Sequence, residues 1–146
     1  MEKIITFSIA AYNVEKYLKK LLDSIIEETL LNKIEILIIN DGSNDKTIEI
    51  AKDYKKKYLD TIKVIDKENG GHGSTINVGI KYANGKYFRA IDGDDWVNTN
   101  DLKKLIKSLE IIEVDMVLTN FLKCYEDGKI EKEEFENIIR WWNSGV

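Results

Sequence analysis

The residues best equipped for chemistry in this sequence stand together as Asp92-Gly93-Asp94-Asp95. Three carboxylates so close repel one another unless they are solvated or share a cation. Carboxylate oxygens suit hard ions such as Mg²⁺ and Mn²⁺, which bind through one or two carboxylates and complete their shell with substrate phosphates. The plain alternative is an acidic turn that caps a helix beginning near Asn100. Asp41, in Asn40-Asp41-Gly42-Ser43, is the second candidate. It can accept hydrogen bonds from a nucleobase imide or a ribose hydroxyl, or it can simply form an Asx-turn. The run Asn69-Gly70-Gly71-His72-Gly73 is the third. Ahead of a helix it lets backbone amides approach a diphosphate, or it marks a mobile connection. His72, the only histidine, is open to use as a base or phosphate contact, or is simply exposed. Arg89 and the many helix lysines read as solvated faces and surface pairs.

These groups need elements to position them, and the chain alternates β-branched runs with amphipathic stretches. Ile4 to Ala10 reads as a first strand, with Asn13 placed to cap a following helix. Val14, Tyr17, Leu18, Leu21, Leu22, Ile25 and Ile26 recur at helical spacing and form one apolar face. Ile34 to Ile39 is an apolar run suited to a strand covered on both faces. A helix with Ile48, Ala51, Tyr54 and Tyr58 inward follows, then a strand over Ile62 to Ile65. Ser74 to Ala83 reads as a helix ended by Asn84-Gly85, and Lys86 to Ile91 as a fourth strand. A helix carrying Leu102, Leu105, Ile106 and Leu109 comes next. Asp115 to Phe121 is expected to be a fifth strand, Asp127-Gly128 a turn, and Glu131 to Arg140 a helix. Strands alternating with helices predict an α/β fold. Its central sheet is mostly parallel, with helices on both faces and right-handed crossovers. In such a sheet ligands bind beyond the carboxyl ends of the strands. Ala11-Tyr12-Asn13, the Asp41 turn and the Asp92 cluster all fall at such ends.

Composition bounds the function classes. The 146 residues comprise 43% hydrophobic and 33% charged residues with a net charge of -4, the balance of one globular domain without a basic footprint for nucleic acid. Cys124 is the only cysteine, which excludes an internal disulfide or a cysteine-based zinc site and fits a reducing cytoplasm. No stretch approaches the ~20 apolar residues of a membrane span. The opening apolar run contains Thr6 and Ser8, so it reads as a buried strand and not as a signal peptide.

Taken in order, three segments resemble the family-two glycosyltransferases. They are Phe7-Ser8-Ile9-Ala10-Ala11-Tyr12-Asn13-Val14, then Glu35-Ile36-Leu37-Ile38-Ile39-Asn40-Asp41-Gly42-Ser43, and then Asn69-Gly70-Gly71 through Ala83-Asn84-Gly85 to Asp92-Gly93-Asp94-Asp95-Trp96. The likeness spans about residues 4 to 121 and is far more specific than a lone DxD. It implies a Rossmann-like GT-A nucleotide-binding half over residues 1–124, with 125–146 opening an acceptor-side segment. It also implies a metal-dependent, inverting transfer of sugar from a nucleotide-diphospho-sugar, often UDP-linked, to a glycan or lipid-linked acceptor hydroxyl. Cell-surface polysaccharide or glycan synthesis is the setting that follows, in the cytoplasm or at the inner face of the membrane.

Carried over residue by residue, the resemblance assigns Ala10, Ala11, Tyr12, Asp41, Gly71, Asp92 and Gly93 to the nucleotide. It assigns Asp94 and Asp92 to an Mn²⁺ or Mg²⁺ ion. Three departures stand out. The proline usual after the first strand is replaced by Ala10-Ala11 in a chain with no proline. The aspartate usual before Asp41 is Asn40. The general base expected well downstream of the DxD has no match in the tail, where Glu131, Glu133, Glu134 and Glu136 read as a solvated face. The expectation is therefore a chain that stops before its acceptor half and binds donor without completing transfer. Trp141 and Trp142 then want a continuation or a second copy to bury them. Two other readings remain open: a non-catalytic nucleotide-sugar-binding module, and an unrelated α/β protein using Mg²⁺ for phosphoryl chemistry.

Overall fold

The computed structural model describes residues 2–134, which fall into one unit reaching to Ile112 and another beginning at Glu113. The first unit holds a four-stranded sheet of β1 (Ile5–Ala11), β2 (Ile34–Asp41), β3 (Ile62–Lys67) and β4 (Tyr87–Asp92). All neighbours are parallel, in the order β3-β2-β1-β4. The helices are α1 (Leu18–Ile25), α2 (Thr47–Lys57), α3 (His72–Tyr82) and α4 (Thr99–Leu109).

The sequence explains this layering. Every residue of β2 is buried, as a central parallel strand requires. In β1, Ile5, Phe7, Ile9 and Ala11 share one face, while Thr6, Ser8 and Ala10 share the other. The small polar face is where α3 closes in. A Cβ built on Gly79 of α3 would lie 2.0 Å from Ser8 Oγ, so a bare backbone is needed there. Right-handed crossovers from β1 to β2 to β3 set α1 and α2 on one side of the sheet. The return from β3 across to β4 sets α3 on the other. Accordingly α1 packs on α2 and α4, and α3 on β1, β2 and β4. Strand order thus reverses between β1 and β4, which makes the carboxyl ends of those two strands the topological switch point.

At the opposite end of the sheet, Glu35 is buried among donors. Its carboxylate accepts from Thr6 Oγ1 at 2.7 Å, Lys63 Nζ at 2.8 Å, and Asn84 N and Nδ2 at 2.8 and 2.9 Å. Burial alone would raise this carboxyl, but the bonds from Lys63, Thr6 and Asn84 outweigh it and hold it at about 2. Glu35 thereby fastens the α3–β4 turn to the first two strands.

Four local expectations are corrected. Asn13 does not cap α1, which starts at Leu18 with Tyr17 before it and no side-chain cap. Asn13 sits in the left-handed region at φ 52, and its Oδ1 accepts from Asn44 N at 2.8 Å. Asparagine tolerates that conformation, and a donor from another loop took the oxygen. Tyr17, expected inward, is 49% exposed because the helix begins only after it. The strand expected over Asp115 to Phe121 does not form: residues 115–120 are in no strand, and only Phe121 belongs to one. The strands of the second unit are β5 (Phe121–Cys124) and β6 (Ile130–Glu133), an antiparallel hairpin. An apolar run does not by itself choose a strand; the turn at Asp127-Gly128, with Gly128 at φ 85, set the pairing instead. That hairpin also takes Glu131, Lys132 and Glu133 out of the helix expected over Glu131 to Arg140. Glu134 is likewise not helical; the rest of that expected helix, Glu136 included, and Trp141 and Trp142 lie outside the described residues.

Candidate functional site

Strand register brings the sequence candidates together at the switch point. Ala10 pairs directly with Asp92 across β1 and β4, and Gly93 N donates to Ala10 O at 3.0 Å. Gly93 is buried, and a Cβ there would meet the Val14 side chain at 2.8 Å, so the strand end and the β1–α1 loop touch through this glycine. Asp95 N donates to Asp92 O at 3.0 Å, closing the acidic run into a turn that leaves Asp92 and Asp94 exposed. Burial, then the charges of Asp94 and Asp92, raise the Asp95 carboxyl above its ordinary value against the pull of Arg89. The turn thus gathers three carboxylates that repel one another, with Arg89 as a cation acting on Asp95. Two fastenings place it against α1: Lys20 Nζ lies 3.2 Å from the centre of the Trp96 ring, and Val97 N donates to Ser24 Oγ at 3.1 Å.

Asp41 closes β2 on the face that α3 covers, and its carboxylate is almost fully buried. It accepts from Gly70 N and Gly71 N, each at 2.9 Å, and from Lys67 Nζ. Burial works to raise this carboxyl; the Lys67 bond and charge and the two glycine amides overcome it and keep it below its ordinary value. The glycine loop is therefore tied to β2 at one end. At its other end His72, the first residue of α3, sits 2.6 Å from Asp92 Oδ1. The loop is strung between two of the aspartates singled out from sequence, and Gly71 lies on it.

Tyr12 is half exposed on a loop that the β2–α2 loop holds in place. Asn13 N donates to Ser43 Oγ at 3.1 Å, Val14 N to Thr47 Oγ1 at 2.9 Å, and Glu15 N to Asp45 Oδ2 at 3.1 Å. Asn40 faces away from Asp41, accepting from Ser43 Oγ at 2.5 Å and donating to Asp66 at 2.7 Å. Ala11 is buried and reaches the site only through its backbone. Among the described residues no three His, Cys, Asp or Glu side chains converge as a ready metal cage. The donor set fits a hard cation nonetheless, since Asp92 and Asp94 offer exposed carboxylates in an acidic turn. Sequence reasoning missed Lys67. Nothing local marks it, and only the pairing of Lys67 with Asp41 across β2 and β3 brings the two together.

Comparison with known proteins settles the ancestry of this arrangement. The family model for glycosyl transferase family 2 matches residues 6–144. The chain belongs to that family. The Bacillus subtilis glycosyltransferase EpsJ is 38% identical over 129 residues, covering 88% of this chain and 37% of EpsJ. The minor teichoic acid biosynthesis protein GgaB of the same organism is 40% identical over 127 residues, covering 86% of this chain and 14% of GgaB. Among solved structures, S. aureus TarS in complex with UDP-GlcNAc superposes with a TM-score of 0.65 at 29% identity, over 73% of this chain and 31% of that one. A Pyrobaculum calidifontis mannosyltransferase shares the fold at a TM-score of 0.64 and 20% identity. The family-two chain thus has the GT-A α/β fold and spans about a third or less of these relatives' lengths. No helix among the described residues is long and apolar enough to cross a membrane.

Proposed function

We propose that this family-two chain carries the donor site of a glycosyltransferase, binding a nucleotide-diphospho-sugar for inverting transfer to a glycan or lipid-linked acceptor hydroxyl. The observation that carries the reading is the gathering of Ala10, Asp41, the glycine loop and Asp92 at one switch point. The UDP-GlcNAc bound by TarS supports a UDP-linked donor, and the teichoic acid role in the name of GgaB supports synthesis of a cell-surface polymer, a setting at the inner face of the membrane.

Each residue has a task in this scheme. The Ala10-Ala11 backbone and the half-exposed Tyr12 ring line the nucleoside, with Asp41 at its far edge. Gly71 lets backbone approach the diphosphate, Gly93 seats the end of β4 against the loop that carries Tyr12, and Asp92 would lie near ribose and metal. Asp92 and Asp94 would hold Mn²⁺ or Mg²⁺. Bound there, such a cation supplies charge neutralisation for a departing nucleoside diphosphate. The residues themselves preorganise: the turn from Asp92 to Asp95 is fixed by β4, Ser24 and Lys20 before any ligand arrives, so little reorganisation accompanies binding. The acceptor hydroxyl needs a base within hydrogen-bond reach, and none of the described carboxylates is assigned that role.

Calorimetric titration of UDP into the chain with Mn²⁺, then with chelator, then into an Asp94→Ala variant tests this. Heat that requires both the metal and Asp94 is expected. A folded chain that binds no UDP under any of these conditions would overturn the donor-site reading.

A further inference from the structure

Lys67 is the group at this site that neither the motif residues nor their spacing accounts for. It is the last residue of β3, and its side chain is only 22% exposed. Its ammonium meets the Asp41 carboxylate, donates to Glu68 O at 2.6 Å and donates to Ser74 Oγ at 2.9 Å. Ser74 Oγ in turn donates to Gly71 O at 2.8 Å. One cation with three donors thus ties the end of β2, the start of the glycine loop and the first turn of α3. Asp41 then uses both carboxylate oxygens on the Gly70 and Gly71 amides. Without a cation, that carboxylate would be a buried, uncompensated charge, which a protein relieves by protonating it or by moving the segment. Either response weakens the hold on the two amides, because a neutral carboxyl is a poorer acceptor and a shifted segment a misaligned one.

We propose that Lys67 is a positioning residue of the donor site. By neutralising Asp41 it keeps that carboxylate ionised and fixed, and so holds the glycine loop in the shape that a nucleoside diphosphate meets. The proposal rests on the donor-site reading for its functional consequence but not for its structural half, and the two halves separate in experiment.

The test uses Lys67→Met, which keeps the aliphatic stem and removes the charge, and Lys67→Arg, which restores a cation. Amide exchange at Gly70 and Gly71 is followed by NMR without ligand, thermal unfolding checks integrity, and UDP affinity is measured by calorimetry with Mn²⁺. In Lys67→Met both amides are expected to exchange on the order of tenfold faster and UDP affinity to fall on the order of tenfold, as for loss of one charge-assisted contact. Lys67→Arg is expected to recover part of both. In an Asp41→Asn background the added Lys67→Met change should barely alter exchange, because the two act as one unit. Unchanged exchange in Lys67→Met overturns the proposal, and so does faster exchange with unchanged UDP affinity. If Lys67→Met unfolds, Lys67→Gln and Lys67→Arg are compared in its place with the same readings. A wild-type chain that binds no UDP sinks the donor-site reading and with it the functional half; faster loop exchange in Lys67→Met would then support only the structural half.

Discussion

Burying a carboxylate is costly unless its oxygens find donors, and this chain does it at both ends of β2. Asp41 fastens the glycine loop of the candidate site, whereas Glu35 serves the fold, and Glu35 makes stability depend on pH. Its folded value of about 2 lies below the ordinary 4.5. The contribution is therefore complete above pH 4.5 and fades as pH falls toward 2. Urea unfolding of the wild type and of Glu35→Gln should differ by roughly 2–3 kcal/mol near pH 7. The gap should narrow through the acid window, and a gap independent of pH would contradict the account. Asn13 offers a second residue-scale test. Asn13→Ala loses both a left-handed-tolerant residue and the bond to Asn44 N, which should cost about 1–2 kcal/mol. Asn13→Gly keeps the backbone freedom and should recover part of that loss in the same denaturation assay.

Among elements, α3 is the one that connects core and site. Its Gly79 lets it approach β1, its first residue His72 touches Asp92, and the loop before it is held by Asp41. Gly79→Ala would drive a methyl into Ser8 and shift the helix. The expected cost is about 1–3 kcal/mol, as in other overpacked contacts. Because the glycine loop moves with the helix start, UDP affinity should drop as well. Lost stability with wild-type affinity would show that the loop is held independently of α3. The β1–α1 and β2–α2 loops are a second unit of this kind, laced through Asn13, Val14, Glu15, Ser43, Asp45 and Thr47.

On the scale of the whole molecule, every residue assigned to the nucleotide or the metal lies before Ile112, in one of the two units. A chain ending at Ile112 is therefore expected to fold cooperatively and to bind UDP within a few-fold of the full chain. A folded but non-binding product would show that the second unit contributes to donor binding.

The four strands of the parallel sheet, most helices and the acidic turn were legible in the sequence because each is dictated locally, whereas the β5–β6 hairpin was not. Ile36 to Ile39 in β2 is apolar on both faces, and Leu18, Leu21, Leu22 and Ile25 repeat at the pitch of a helix. Turn chemistry at Asp92-Gly93-Asp94-Asp95 is likewise a property of four adjacent residues. By itself the sequence therefore determined the alternating α/β order and the candidates lying at the strand ends. Tertiary structure alone decided what those candidates bind. Asn13 went to Asn44, Asp41 to Lys67 and the glycine amides, and His72 to Asp92, partners separated by 20 to 31 residues. Such pairings are set by strand register and by how closely α3 approaches the sheet, and no local pattern of residue types encodes either one.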